Sequence, residues 1–169
     1  RGWESHMFDL GLVIAFAGIV GGRLWDVFFF DWEYYHNHLL EIPYIWQGGM
    51  AIQGGIIFAC IAAYFYLKKH QIPVLPFADT VTPGIILGQA IGRIANFMNG
   101  DAFGHPTGQD FGLLYPDTTL AYHTYGAQPL WPAEVWECQG DLLIFVLLLW
   151  YGCKTRTEGT TFCLYIMLY

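Results

Sequence analysis

Charge is scarce in this sequence, and positive charge most of all. Only 12% of the 169 residues are Asp, Glu, Lys or Arg, against roughly 25% in an ordinary soluble domain, so water is not the main solvent. Seven residues are Lys or Arg, and they do not gather into the basic face that nucleic acid requires, which excludes that partner. The net charge of -7 does not describe an acidic soluble surface either, because the charges sit in short clusters between apolar runs. Cysteine is equally sparse. Cys60, Cys138, Cys153 and Cys163 show no paired metal spacing, and three lie in or beside apolar runs where cysteine acts as a small hydrophobe. The two histidines of the long polar stretch, His105 and His123, do not stand at ligand spacing. Neither a metal nor a cofactor is expected. No cleavable signal is expected in these residues, since no cation followed by a short apolar core and a small-residue cleavage site opens the sequence.

What the sequence does have is apolar length: 55% of it is hydrophobic. Residues 7–30, 49–67 and 74–98 form runs long enough to span a bilayer. Residues 142–153 are the clearest part of a fourth, which reaches spanning length only if it begins near Pro132. Its polar start, 134–141, is then expected at the interface or against a cavity. A fifth run begins at Thr160. The expected fold is all-α: a polytopic transmembrane helical bundle of four spans plus the start of a fifth, one domain over 1–169, with an extracytoplasmic loop at 101–130. The first residue is Arg and the last run falls short of the roughly 20 residues a span needs, so this domain is expected to be truncated at both termini.

Cytoplasmic loops are enriched in Lys and Arg, and the loop cations here agree on one orientation. Arg1, Lys68, Lys69, Lys154 and Arg156 all fall on one side, while 31–47 and 101–130 contain no Lys or Arg. The remaining cations, Arg23 and Arg93, lie inside spans, where each costs at least ~2.5 kcal/mol unless something offsets it. Both spans run outward, and at about 1.5 Å per residue each arginine sits about 10 Å below the outer end. Their surroundings echo each other: Gly22-Arg23-Leu24-Trp25-Asp26 against Gly92-Arg93-Ile94-Ala95-Asn96.

The densest polar cluster begins at Gly92. Arg93, Asn96 and Asn99 or Gly100 recur at the spacing of one helical face. A planar guanidinium and two carboxamides on one side would suit a phospholipid head group; the bland alternative is a snorkelling arginine or a pair with Asp101. Arg23 has Asp26 three residues on, so a neutralised structural pair competes with a binding role. Gly48-Gly49 and Gly54-Gly55 either let backbones approach or leave the helix irregular, with Gln53 polar at a similar depth. Asp101 either accepts a proton or pairs with an arginine. Glu134 and Glu137, three apart beside interfacial tryptophans, must face water, protein or a cation; Glu137 is the better functional candidate.

These residues carry a resemblance. Residues 92–104 resemble the signature of the prolipoprotein diacylglyceryl transferases: Gly-Arg, two residues, Asn-Phe, one residue, Asn, one residue, Glu, two residues, Gly. Gly92, Arg93, Asn96, Phe97, Asn99 and Gly104 agree, and Asp101 stands where the family usually has Glu. Gly21-Gly22-Arg23-Leu24 is similar to the family's Gly-Ala-Arg segment, and Trp46-Gln47-Gly48-Gly49 with Gly54-Gly55 to its glycine-rich second segment. Gln53 departs from it, standing where many members carry a histidine proposed as catalytic, and Trp131-Pro132 stands where His-Pro is common. The resemblance also implies a membrane helix ahead of residue 1, and a Gly-Arg-Phe and Glu segment beyond Tyr169.

The resemblance implies transfer of the diacylglyceryl group of phosphatidylglycerol to the lipobox cysteine of a prolipoprotein, releasing glycerol 1-phosphate. The partners are then phosphatidylglycerol, the lipobox peptide and membrane lipids, in the bacterial cytoplasmic (inner) membrane with the site facing the outer leaflet. Attack at carbon expels a phosphate, and a fixed cation aimed at the leaving oxygen lowers that barrier. Arg93 is assigned that role, with Asn96, Asn99, Gly100 and Gly104 around the head group. Arg23 is a second cation or a helix-pair holder, Gln53 and Glu137 are further substrate contacts, and Asp101 is the candidate for activating the thiol. Two competing readings keep the arginines without the chemistry: a phospholipid-binding membrane protein that is not catalytic, and an anion transporter, the latter favoured by inverted repeats with broken helices.

Overall fold

The first apolar run folds as helix α1, Glu4–Trp25, and continues without a break through a π-helical turn, Asp26–Phe30. The computed structural model describes residues 3–154 and 157–169; two of the cations used for orientation, Arg1 and Arg156, lie outside them. Short helix α2, Trp32–Tyr35, and two 3-10 turns, Leu39–Glu41 and Ile45–Gln47, lead to α3, Ile52–Lys69. The third run is α4, Val74–Asn99. The 101–130 segment contains the short helix α5, Leu120–Tyr125; α6 is Ala133–Lys154 and α7 is Thr160–Leu168. Among the described residues no strand forms, only isolated bridges of Leu130 with Pro106 and Leu113. Two helical stretches are long and apolar enough to cross a membrane, Ser5–Phe30 and Val74–Asn99.

The structure divides into two compact units, one ending at Val74 and one running Leu75–Tyr169, where the sequence suggests one domain. In the first, α1 and α3 pack almost backbone to backbone. A Cβ added to Gly22 would lie 3.2 Å from the Ala51 carbonyl, and one on Gly55 would lie 3.3 Å from that of Gly18. Small residues permit such contact where lipid supplies no hydrophobic drive between helices. The far ends of the pair are joined by His6, Tyr66 and His70, whose rings lie 4.4 to 6.2 Å apart. Phe8, Leu12 and Phe16 of α1 are exposed, an apolar stripe that suits acyl chains rather than water.

In the second unit Ile86 of α4, Leu148 of α6 and Tyr165 of α7 form a buried cluster, and Tyr165 also donates its hydroxyl to Gln89 at 3.1 Å. Pro83 interrupts the α4 ladder; next to it Thr82, fully buried, donates its hydroxyl to the Ala78 carbonyl at 2.7 Å. Half-buried Asp79 accepts the amide N–H groups of Gly159 at 2.6 Å and Phe162 at 2.9 Å, so a carboxylate on α4 caps the start of α7.

Candidate functional site

Arg93, two turns before the end of α4, donates from Nη2 to Glu137 Oε2 on α6 at 2.6 Å. The pair is only partly covered, with 28% of the arginine side chain and 51% of the glutamate side chain exposed. Beside it lies a cavity of about 370 Å³ lined by Arg93, Glu137, Asp141, Ile144 and Tyr169, among others. Asp141, one helical turn after Glu137, is 4% exposed, and its Oδ2 has no hydrogen-bond partner. One guanidinium and two carboxylates therefore share one polar cavity. A larger groove of about 490 Å³ along α1 and α3 is lined by Gly18, Gly22, Met50, Ala51, Ile56 and similar residues. It holds no titratable group and so no chemistry.

Among the residues of the 92–104 cluster, Arg93 alone lines that cavity. The cause is how α4 ends. Gly100 turns the chain at φ 66°, its N–H reaches the Phe97 carbonyl, and the Asp101 N–H reaches that of Asn96 at 3.1 Å, a Schellman cap. The cap folds Asp101 back so that its carboxylate accepts the Asn96 amide. Asp101 is thus engaged with Asn96 and is not the ion-pair partner of Arg93. Asn99 is exposed. Gly100 itself is buried, and a Cβ there would lie 2.5 Å from Thr119. Gly104 faces the chain entering α6: its N–H meets the Trp131 carbonyl at 3.1 Å, and a Cβ would lie 2.5 Å from that oxygen. Both glycines, read as head-group contacts, hold the 101–130 segment together.

That segment is ordered by its own bonds. His105 Nδ1 pairs with the Tyr125 hydroxyl at 3.0 Å, and the Thr107 hydroxyl donates to Phe111 O at 2.7 Å. Leu113 and Leu130 exchange both backbone bonds at 2.9 Å. Tyr115 donates its hydroxyl to Glu134, which is 1% exposed. Burial, and then this bond, push the Tyr115 phenol up from its ordinary value.

Arg23 has a different environment. It is 3% exposed and spends every N–H on backbone. Nε donates to Ile42 O at 2.8 Å, Nη1 to Gly48 O at 2.7 Å and Gly49 O at 2.9 Å, and Nη2 to Glu41 O and Tyr44 O at 3.2 and 3.4 Å. Tyr35 lies under the guanidinium at 4.9 Å, and Asp26 stands 3.9 Å away. Carbonyls of irregular backbone need donors when they are shut away from water, and Arg23 supplies them for the turns ahead of α3. A Cβ on Gly49 would lie 2.7 Å from its Nη1, and φ there is 71°, so the glycine pair forms a turn around the arginine. The Arg23 side chain holds a loop rather than lining a cavity. Gln53 is exposed in the first turn of α3. The cysteines are free, and Cys60, Cys153 and Cys163 are exposed on the protein.

The sequence profile of the prolipoprotein diacylglyceryl transferases matches residues 1–169. The chain belongs to that family. It is 35% identical, over its full length, to the phosphatidylglycerol–prolipoprotein diacylglyceryl transferase of Symbiobacterium thermophilum, and 37% identical to that of Geobacillus kaustophilus. The enzyme of the same name in Staphylococcus saprophyticus is 36% identical over 98% of the chain and 60% of its own length. The chain spans 63% of the length of the first two relatives. Within this chain, sequence reasoning missed two acidic residues that the structure makes prominent, Asp141 and Asp79, and weighed Glu134 without the Tyr115 partner that encloses it. Asp141 and Glu134 were visible as positions on the same face as Glu137, at spacings of four and three; Asp79 had no local signal, because its partners lie about eighty residues on.

Proposed function

We propose that this chain supplies the lipid-phosphate site of an enzyme that transfers the diacylglyceryl group of phosphatidylglycerol to the lipobox cysteine of a prolipoprotein, releasing glycerol 1-phosphate. One observation carries the reading: Arg93, inside the family's signature stretch, is partly exposed beside a polar cavity. The sulfur attacks carbon, the carbon–oxygen bond to the phosphate breaks, and negative charge builds on the departing oxygen. A planar guanidinium fixed next to that oxygen in a site of low dielectric stabilises the transition state more than the ground state. Asn99, exposed at the end of α4, is open to a head group outside that cavity, and Asn96 with Asp101 keeps the helix end in place. Arg23 supports the turns that lead to Gln53.

In this reading α3 and α6 also span the inner membrane, making four spans, and the 101–130 segment lies outside the cell. Its lack of Lys and Arg, and the Lys68-Lys69 pair at the other end, support that orientation. A single cysteine introduced in 101–130 of a cysteine-free full-length protein is expected to react with an impermeant thiol reagent in intact cells; labelling only after lysis reverses the orientation.

The chemical test is R93A in the full-length protein, with thioether formation on a lipobox peptide as the readout. Loss of one such charge donor is expected to slow transfer by about a thousandfold. Wild-type turnover would remove Arg93 from the mechanism. Retained phosphatidylglycerol binding by the wild type, with no transfer to any lipobox peptide, would favour the non-catalytic lipid-binding alternative.

A further inference from the structure

Arg93 faces more carboxylate than one cation can serve. Glu137 holds its Nη2 at 2.6 Å, and Asp141 lines the same cavity with Oδ2 buried and unpartnered. Residues four apart share a helical face, so α6 directs both acids toward the space beside one guanidinium. A phosphate entering there meets a guanidinium already occupied by a carboxylate, unless that carboxylate releases it. Glu137 is placed to do so, because half of its side chain is exposed, whereas Asp141 is enclosed.

We propose that Glu137 is an internal stand-in for the lipid phosphate: phosphatidylglycerol displaces it from Arg93, and the freed carboxylate accepts the proton of the incoming cysteine thiol. This rests on the reading of Arg93 as the phosphate site. The step needs no other reactant. The thiol proton passes to a Glu137 oxygen, the sulfur electron pair forms the carbon–sulfur bond, and the carbon–oxygen bond breaks with its pair leaving on glycerol phosphate. The proton then moves from Glu137 to that phosphate, and the restored carboxylate returns to Arg93 as the product departs. The other candidates are less suited. The amide of Gln53 does not take up a proton at neutral pH, and the Asp101 carboxylate is held by Asn96. Because the base is released only by the lipid, the phospholipid binds before the peptide.

The test is E137Q in the full-length protein in nanodiscs, with phosphatidylglycerol affinity and single-turnover transfer to a lipobox peptide measured separately. Removing the competing anion is expected to tighten lipid binding about fivefold, the scale of a partly exposed ion pair. Transfer at saturating lipid is expected to slow about a hundredfold, the scale of general-base catalysis. A purely structural glutamate would weaken both. Tighter binding itself requires folded protein; should E137Q not fold, E137D, which draws the carboxylate back by one methylene, must show the same opposite movement of affinity and rate. Weaker lipid binding, or transfer at the wild-type rate, overturns the proposal. R93A that binds phosphatidylglycerol as well as the wild type overturns the phosphate site instead.

Discussion

Two arginines sit in nearly the same sequence pattern and have opposite fates. Arg23 is 3% exposed with all its donors committed to loop carbonyls; Arg93 keeps more than a quarter of its side chain open and has one carboxylate partner beside a cavity. The difference lies in how the chain leaves each helix. After the first span the chain makes irregular turns whose carbonyls need donors, and a guanidinium with five N–H groups fits that need. After α4, Gly100 closes the helix with a Schellman cap that satisfies its own carbonyls. Arg93 is therefore not consumed by backbone. A guanidinium saturated by its own chain stabilises a fold, and one left with open donors can bind something else.

The contrast predicts separable losses. The largest is on activity at Arg93: R93A slows transfer by about a thousandfold yet leaves the thermal midpoint close to wild type, because Glu137 is half exposed and can turn to solvent or headgroups. Next is stability at Arg23. R23A strands the buried Asp26 and several carbonyls, and is expected to cost about 3–5 kcal/mol, read as a large fall in midpoint and in the yield of folded protein. R23K should rescue little, since three ammonium donors cannot replace five in a fixed fork. If R23A folds normally and loses lipid binding, the two arginines are functional equals and the contrast fails.

The smallest effect tests whether the 101–130 segment is a packed body, like the Arg23 loop, or a loose one. Y115F leaves the enclosed Glu134 without its phenol donor and is expected to cost about 1–3 kcal/mol. Burial and that bond raise the Tyr115 phenol above its ordinary value of 10, so the folded protein holds a proton that the unfolded chain gives up. This stabilisation is complete below about pH 10 and fades as the pH rises further. Wild type and Y115F should therefore converge in denaturant melts under alkaline conditions; a constant gap would contradict the coupling.

Much of the fold was legible because apolar runs and breakers are local signals. The runs at 7–30, 74–98 and 160 onward fold as Glu4–Phe30, Val74–Asn99 and Thr160–Leu168, and α6 starts beside Pro132, as spanning length requires. The run at 49–67 begins three residues late, because Gly48 and Gly49 take positive φ around Arg23. The site was legible in residue type and less so in partnership. Helical spacing puts Asn96 and Asn99 near the side of Arg93, but a spacing rule does not contain the cap that turns Asp101 back onto Asn96. Nor does the pattern around Gly22-Arg23 contain the five carbonyls, which come from residues 18 to 26 positions away. The Glu137 partnership needed two helices, and only its charge was visible from one.

The carboxylate of Asp79 has a consequence for biogenesis. A ribosome delivers α4 to the membrane long before Gly159 and Phe162 exist, so an acidic group waits near the start of that helix without the amides that will receive it. The arrival of α7 retires this frustrated charge. The cap on Asp79 therefore cannot form until a segment eighty residues downstream has been made.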